Sequence, residues 1–175
     1  MRVAKAEQSA YEDLLRRYIP ALRRLSWSYG RNRAEGEDLF QEIAMALWTA
    51  LPGFRGDSSE RTWVYRVAHN TAISFVSSRK RRAALEQNVE PLEERASHAA
   101  SPEGEAIDRQ RQLRLWTAVQ ELPWADRQIV LLYLEGLSAS EIEAVSGLSA
   151  GNVATRLTRI RQRLAARLRS EEVRG

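Results

Sequence analysis

Residues 138–164, SASEIEAVSGLSAGNVATRLTRIRQRL, contain the pattern that decides the fold. Ser138 and Glu141 have the spacing of a capping box, in which the serine caps a helix amide and the glutamate reaches back to the serine. Gly147 favours a tight turn, and Ser149 is suited to cap a second helix. A short helix, a short turn and a longer helix together predict a helix-turn-helix motif.

The second helix of this motif separates an apolar seam from a polar stripe. The seam consists of Val153, Leu157, Ile160 and Leu164. At about 100° per residue, the polar side chains cluster on another face, and they are Asn152, Thr155, Arg156, Arg159 and Arg163. The start of such a helix enters the major groove, so we predict that the first three read bases and the last two contact phosphates. A solvated basic helix in a bundle is the alternative.

Apolar residues at helical spacings predict five further helices and no strand. We expect these helices at residues 11–29, 37–51, 59–82, 107–122 and 124–135. Glycines and prolines mark the breaks between them, among them the stretch from Gly30 to Gly36 and the pair Pro52-Gly53. The chain is therefore predicted to be all-α.

An acidic stretch divides the chain. Residues 83–108 contain one basic and seven acidic side chains, whereas both flanking segments are basic. Prolines and the absence of apolar periodicity are typical of a flexible, self-repelling linker. We predict two small helical domains, at residues 1–82 and 107–175, joined by a flexible acidic linker at residues 83–106.

Composition limits the class of protein further. Hydrophobic residues make up 43% of the 175 residues and charged residues 29%, which is typical of a globular protein. The absence of cysteine excludes disulfides and thiolate metal sites. No stretch has the length of a signal peptide or a membrane span. We expect a soluble, cytoplasmic protein with no membrane insertion.

The helix predicted at residues 37–51 has an acidic face. Asp38, Gln41, Glu42 and Met45 fall within a narrow arc. The apolar residues expected to face inward are Leu39, Phe40, Ile43, Leu47, Trp48 and Leu51. An acidic patch suits a basic protein partner and repels DNA. The ordinary polar face of an amphipathic helix is the competing interpretation.

The helix predicted at residues 59–82 combines aromatic and cationic side chains. Trp63, Arg66, Asn70 and Ser77 lie along one side, and the helix ends in the basic run at residues 79–82. Aromatic rings beside cations suit unpaired nucleic acid, because the rings stack on bases and arginine holds the backbone. A core role and a DNA role are both open for Trp63, and a core role is favoured for Phe75.

Enzyme chemistry has little support. The two histidines, His69 and His98, belong to no HExxH motif, and the chain contains neither a Walker loop nor a dinucleotide-binding glycine turn. We interpret His69 as a surface or packing residue. We therefore predict no catalytic residue, no metal and no cofactor.

Three segments, in this order, resemble the extracytoplasmic-function sigma factors of bacterial RNA polymerase. They are EDLFQEIAMALW at residues 37–48, FRGDSSERTWVYRVAHNTAISFVSSRKRR at 54–82, and ELPWADRQIVLLYLEGLSASEIEAVSGLSAGNVATRLTRIRQRL at 121–164. The resemblance implies a region 2 helical domain at residues 1–82 and a region 4 helix-turn-helix domain at 107–175. It also implies a role in promoter-specific transcription initiation for a stress or envelope response.

The resemblance assigns three sets of site residues. Core polymerase, through its beta-prime clamp, is assigned to Asp38, Gln41, Glu42 and Met45. The minus-ten element is assigned to Gly56, Asp57, Ser58, Ser59, Glu60, Trp63, Arg66, Asn70, Ser77, Arg79, Lys80, Arg81 and Arg82. The minus-thirty-five element is assigned to Ser149, Asn152, Thr155, Arg156, Arg159 and Arg163. The implied partners are core polymerase, including its beta flap, promoter DNA and an anti-sigma protein.

Two departures from the family and three rival functions qualify this resemblance. Glu143, Ala144 and Val145 depart from the usual alanine-rich first helix of the motif. Residues 151–156, GNVATR, lack the lysine and the serine that usually precede the arginine in the family's recognition helix. A conventional helix-turn-helix regulator would bind duplex DNA without polymerase and would tolerate Asp38→Arg. A sigma-like decoy would bind only an anti-sigma protein, and the basic run at 79–82 argues against it. An enzyme is the most distant alternative.

Overall fold

The computed structural model describes residues 2–85 and 114–172. The chain divides into two compact units, Met1–Ser97 and His98–Gly175. Every regular element within the described ranges is helical, which confirms the all-α prediction. The predicted linker lies, from residue 86 onward, outside the described residues. No helix in the described part of the chain is both long enough and apolar enough to cross a membrane.

The first unit contains three helices. They are α1 (Arg2–Tyr29), α2 (Arg33–Ala50) and α3 (Glu60–Leu85), with a 3-10 turn at Leu51–Gly53 after α2. Side chains from all three helices form its core, each at most 4% exposed: Leu14, Leu22, Leu25, Leu39, Ile43, Leu47, Val64, Ala68, Ala72 and Val76. The apolar spacings of the sequence therefore identified most of the buried residues of α1 and α2, whereas no buried face had been predicted for α3.

The start of α2 was predicted wrongly. The helix begins at Arg33 rather than at residue 37, and Asn32 caps it by accepting the Glu35 N–H at 2.9 Å. Gly36 lies inside the helix and is buried against Trp27. This glycine permits a close contact between α1 and α2 instead of ending a helix.

Gly36→Ala tests this contact. A Cβ at residue 36 would overlap Cδ1 of Trp27, so we expect a loss of about 1–3 kcal/mol in stability. This loss opposes the gain of about 1 kcal/mol that alanine normally brings to a helix. Native-state hydrogen exchange of the α1 and α2 amides measures it, because exchange reports on this unit separately. Gly53→Ala, where no atom lies within 4 Å of the new Cβ, is the matched control. Unchanged or greater protection in Gly36→Ala would contradict the packing account.

The second unit contains the predicted helix-turn-helix. Residues 114–120 are helical (α4), followed by α5 (Trp124–Leu134), α6 (Ala139–Ser146) and α7 (Ala150–Glu172). Its core brings together side chains that are at most 5% exposed: Val119, Leu122, Ile129, Leu132, Leu137, Ile142, Val145, Val153, Leu157 and Ile160. The apolar seam predicted on the last helix is therefore buried as expected.

Two other helix boundaries differ from the prediction. The first helix begins at Arg2 instead of residue 11, because residues 2–10 continue it although they lack the apolar spacing on which the prediction relied. Pro20 lies inside this helix. The third helix continues to Leu85, which extends it into the stretch predicted as linker.

Candidate polymerase and nucleic-acid interfaces

The predicted acidic stripe of α2 is on the surface. Asp38, Gln41 and Glu42 are exposed, and Met45 is 70% exposed. On the opposite side of the helix, Leu39, Ile43 and Leu47 are fully buried. The helix therefore presents carboxylates and a methionine to solvent on one continuous face.

Two aromatic residues of α2 lie elsewhere than predicted. Trp48, expected to face inward, is 46% exposed and packs edge-on against Tyr11 at 5.0 Å between ring centroids. Phe40 is only half-buried, with the Arg23 guanidinium 5.1 Å from its ring centroid. Trp48 lies three residues after Met45 and adds an aromatic side chain to the acidic stripe of α2. Exposed methionine and tryptophan side chains are typical of protein interfaces. We name Asp38, Gln41, Glu42, Met45 and Trp48 the α2 surface.

The loop before α3 buries Trp63. This side chain is 7% exposed, and its ring lies 5.0 Å from that of Phe54. Of the two roles left open for Trp63, the structure therefore supports packing under the loop. Gly56 adopts the left-handed region at φ 79°, and both Gly56 and Asp57 are exposed.

Two residues assigned to the minus-ten element make structural contacts at the start of α3. Ser59 accepts a hydrogen bond from the Thr62 N–H at 3.0 Å, as a helix cap does. Glu60 accepts hydrogen bonds from Arg17 at 3.0 Å and from the Tyr18 hydroxyl at 3.2 Å. These contacts connect α3 to α1 and fix the position of the loop.

The basic run at the end of α3 divides into one paired cation and three exposed ones. Arg79 donates to Glu35 at 2.8 Å, whereas Lys80, Arg81 and Arg82 are exposed. Burial alone would raise the pKa of Glu35, but hydrogen bonds from Arg31 and the charges of Arg79 and Arg31 outweigh it and lower that pKa. Arg79 therefore ties α3 to the start of α2.

Not all of the residues predicted to line the outer side of α3 are exposed. Asn70 and Ser77 are exposed and Arg66 is half-buried, but Trp63 on the same side is covered. Ile73 is 38% exposed beside Asn70. The exposed side of α3 thus offers an amide, a hydroxyl and a small apolar contact, followed by cations.

His69 is a packing residue. Its side chain is 2% exposed, and within the described residues its Nδ1 has no hydrogen-bond partner. Burial lowers the pKa of His69 to about 4, because the charged imidazolium loses its hydration. The neutral form is therefore the one that fits the folded unit.

The stability of the first unit should depend on this histidine. Unfolded, His69 takes up a proton below about pH 6.5, whereas the folded form resists protonation until about pH 4. Stability is therefore fully present above pH 6.5 and is lost as the pH falls toward 4, by about 2 kcal/mol at pH 5. Hydrogen exchange of α3 amides at pH 7.5 and pH 5, corrected for intrinsic rates, measures this loss. His69→Leu should remove most of the pH dependence, and an equal dependence in wild type and variant would contradict the assignment.

The helix-turn-helix has the predicted capping. The Ser138 N–H donates to Oε2 of Glu141 at 2.8 Å, and the Glu141 N–H donates to Oγ of Ser138 at 3.3 Å. Gly147 adopts φ 74°, the left-handed conformation that ends α6. Ser149 Oγ accepts the Asn152 N–H at 3.4 Å, so it caps α7 as expected.

Glu143 is a second capping residue that the sequence reasoning missed. Its Oε2 accepts the Ala150 N–H at 3.0 Å, which fixes the first turn of α7 against α6. A carboxylate near a helix N-terminus also interacts favourably with the helix dipole. The spacing of seven residues across a turn has no periodic signature, so only the structure reveals this contact.

The polar stripe of α7 is exposed as predicted. Asn152, Thr155, Arg159 and Arg163 are exposed, and Arg156 is half-buried. Thr155 donates its hydroxyl to the Gly151 carbonyl at 2.9 Å, which leaves its oxygen as an acceptor. The stripe therefore offers hydrogen-bonding groups to a groove while the seam packs against α5 and α6.

Arg156 is held by two neighbours. Its Nε donates to Oδ1 of Asn152 at 3.1 Å, and its Nη1 donates to Oδ1 of Asp126 at 3.4 Å. The second carboxylate oxygen of Asp126 lies 3.7 Å from Nη1 of Arg163. Asp126, in the first turn of α5, thus contacts two arginines of the stripe, and the sequence reasoning did not identify it.

The second unit also exposes apolar side chains outside the stripe. On α5, Leu134 is 48% and Tyr133 38% exposed. The Arg161 guanidinium of α7 lies 4.7 Å from the Tyr133 ring centroid. These side chains form a small aromatic and aliphatic surface on the end of α5.

Comparison with known proteins accounts for both units. Residues 14–82 match Sigma-70 region 2, and residues 112–164 match Sigma-70, region 4. The chain is 30% identical to the RNA polymerase sigma factor NccH of Alcaligenes xylosoxydans xylosoxydans, over 98% of this chain and 94% of that protein. It is also 30% identical to the ECF RNA polymerase sigma-E factor of Escherichia coli K12, over 92% and 87% of the two chains.

Solved structures of similar fold include two protein complexes. The sigma factor RpoE, bound to the anti-sigma factor NepR from Bartonella quintana, matches with a TM-score of 0.77 and 24% identity, over 91% of this chain and 97% of that one. CnrH, bound to the cytosolic domain of CnrY, matches with a TM-score of 0.66 and 24% identity, over 95% and 94%. The sequence similarity spans nearly the whole chain, the structural similarity agrees with it, and the chain therefore belongs to the extracytoplasmic-function sigma factors.

Proposed function

We propose that this chain binds core RNA polymerase, directs it to promoters and helps to open them. The observation that carries the proposal is the presence, in one chain, of an exposed acidic and apolar α2 surface in one unit and a capped helix-turn-helix in the other. The chain acts through binding energy, with no chemical step of its own, in the cytoplasm where polymerase works.

The α2 surface is the proposed docking site for polymerase. Its carboxylates suit a basic partner, while Met45 and Trp48 supply apolar area that gains from burial. Its carboxylates also oppose contact with DNA, so a protein partner is favoured. In the family this segment binds the clamp helices of the largest polymerase subunit, and we assign the same partner here.

The loop before α3 and the exposed side of α3 are proposed to hold the minus-ten element. Gly56 and Asp57 present an exposed loop, and Asn70 and Ser77 offer hydrogen-bonding groups further along the helix that follows it. Extruding a base costs a few kcal/mol, which hydrogen bonds and stacking in a pocket offset. Trp63, Ser59 and Glu60 serve this site by shaping the loop, and Lys80, Arg81 and Arg82 by contacting phosphates.

The stripe of α7 is proposed to read the minus-thirty-five element. Asn152, Thr155 and Arg156 are placed in the first turns of a well-capped helix, as in helix-turn-helix proteins that enter the major groove. Arg159 and Arg163 lie further along and suit phosphate contacts. Ser149 caps the helix, and its position at the start of α7 also allows a phosphate contact.

Two further protein contacts follow from the same surfaces. We assign the exposed end of α5, with Tyr133 and Leu134, to the beta flap of polymerase. RpoE is described in complex with the anti-sigma factor NepR, and CnrH in complex with the cytosolic domain of CnrY. An anti-sigma protein that covered the α2 surface would compete directly with polymerase for this chain.

A pull-down of genomic DNA separates the proposal from its main rival. Fragments from the host genome are mixed with the chain alone or with the chain and sigma-free core polymerase, and the retained DNA is sequenced. A sigma factor should enrich discrete upstream regions only when core polymerase is present. Equal enrichment by the chain alone would instead identify a conventional regulator. Failure to bind core polymerase, with no region enriched in either mixture, would favour a decoy.

A further inference from the structure

We propose that Asp126 is a positioning residue that orients Arg156 and thereby sets base preference at one position of the upstream DNA element. This inference rests on the proposed function of the α7 stripe. Asp126 belongs to α5 and lies outside the recognition helix, thirty positions before Arg156. Its influence on DNA would therefore act entirely through the arginine.

The Arg156 guanidinium has two contacts that fix its orientation. Its Nε is bonded to Asn152 at 3.1 Å and its Nη1 to Asp126 at 3.4 Å. In the described part of the chain, its Nη2 has no acceptor. Nη1 carries two hydrogens and Asp126 occupies one of them, so the Nη1 and Nη2 edge keeps N–H donors that can face a ligand. That edge matches the O6 and N7 acceptors of guanine, which arginine contacts in pairs.

The Asp126 carboxylate is charged and contacts two arginines. The Asp126 side chain is 23% exposed, and it lies in the first turn of α5, where the helix dipole favours a negative charge. Its second oxygen faces Arg163 at 3.7 Å, so one carboxylate spans two arginines of the stripe. The helix dipole therefore stabilises the negative charge, and the two arginines fix where the carboxylate lies. A fixed anion can orient a long, flexible side chain that would otherwise sample many rotamers.

The negative charge of Asp126 also affects DNA binding. A carboxylate beside the stripe repels phosphates, so it weakens binding to any duplex that offers Arg156 no base partner. Where a guanine is present, the oriented guanidinium recovers this loss by a bidentate contact. Asp126 should thus increase the difference between correct and incorrect sequences rather than the affinity for DNA in general.

The test measures base preference directly. One promoter recovered by the wild-type holoenzyme is rebuilt as a library in which the upstream element is randomised. Each full-length variant is mixed with core polymerase and this library, and the bound DNA is sequenced. Wild type should prefer guanine at one position, and Arg156→Ala should lose that preference. Asp126→Ala should reduce it by about three- to tenfold without lowering total DNA recovery. Asp126→Asn, which keeps the size of the side chain, should fall between wild type and Asp126→Ala.

A matched control and a double variant exclude a merely structural effect. Glu121 pairs with Arg167 of α7 at 3.1 Å, eleven residues after Arg156 and beyond the base-reading start of the helix, so Glu121→Ala should leave the base preference unchanged. In the Arg156→Ala background, Asp126→Ala should cause no further loss of preference. Retention of the wild-type preference in both Asp126 variants, while Arg156→Ala loses it, would overturn the inference alone. If wild-type holoenzyme recovers no promoter, the proposed function fails and the inference fails with it.

Discussion

We expect Asp38→Arg to weaken the binding of this chain to core polymerase by about 30-fold, which corresponds to about 2 kcal/mol. Asp38 is exposed on the α2 surface beside Gln41 and Glu42, so the substitution places a cation against a basic partner. Its backbone lies in the middle of a helix, and its side chain is in solvent, so the fold should not change. Fluorescence anisotropy of the labelled full chain, titrated with core polymerase, measures the affinity.

Asp13→Arg is the matched control for this experiment. Asp13 is an exposed carboxylate in α1 of the same unit, and the substitution changes net charge by the same amount. We expect its affinity for core polymerase to stay within about threefold of wild type, because an exposed charge away from an interface contributes little. Equal losses in Asp13→Arg and Asp38→Arg would mean that net charge, and not the α2 surface, governs binding.

The second large effect is expected for Arg156→Ala. Removing this side chain should lower holoenzyme affinity for promoters that depend on the upstream element by about 2 kcal/mol, or about 30-fold. The cause is the loss of paired donors to a base edge, together with the loss of the partner that neutralises Asp126. Competition binding with intact and mutated upstream elements, at one fixed salt concentration, measures it.

Arg161→Ala separates base recognition from general charge. Arg161 lies on the same helix but packs over Tyr133, away from the polar stripe. Arg161→Ala removes one positive charge from α7, as Arg156→Ala does, so both variants should lose a similar small amount of non-specific affinity for DNA. Only Arg156→Ala should erase the difference between intact and mutated elements. If Arg161→Ala erases it equally, the assignment of the stripe is wrong.

Local periodicity was sufficient to predict the second unit. Ser138, Glu141 and Gly147 have fixed roles at the ends of a short helix, and the structure contains each of them as predicted. The seam that begins at Val153 is buried because its spacing follows the helical repeat. Where capping, turn and periodicity agree, the sequence leaves few alternative structures.

Glycine and tryptophan positions in the first unit were less predictable, because tertiary contacts decide them. Gly36 has the character of a helix breaker in the sequence, yet its role is to admit Trp27 against the helix. Trp48 follows the apolar spacing of α2 but lies where α1 covers the helix only in part. For Trp63, the choice between core and surface depended on Phe54, which reaches it from the preceding loop.

The ion pairs between different helices could not be predicted from spacing. Arg79 reaches Glu35 across 44 positions, and Arg156 reaches Asp126 across 30. Neither pair lies within one helix, so no local rule connects the partners. The sequence therefore predicted the candidate sites as faces of helices. Only the three-dimensional structure shows which side chains on each face make contacts within the fold and which are exposed to a partner.

The central claim is that this chain makes core polymerase start transcription at defined promoters. Multi-round transcription in vitro tests it most directly, with the chain, sigma-free core polymerase and genomic fragments of the host, followed by mapping of transcript starts. We predict discrete starts that require the chain, disappear with Asp38→Arg and persist with Asp13→Arg. Transcript starts that do not depend on the chain would contradict the account. So would the absence of discrete starts while the chain alone binds duplex DNA in a salt-sensitive manner.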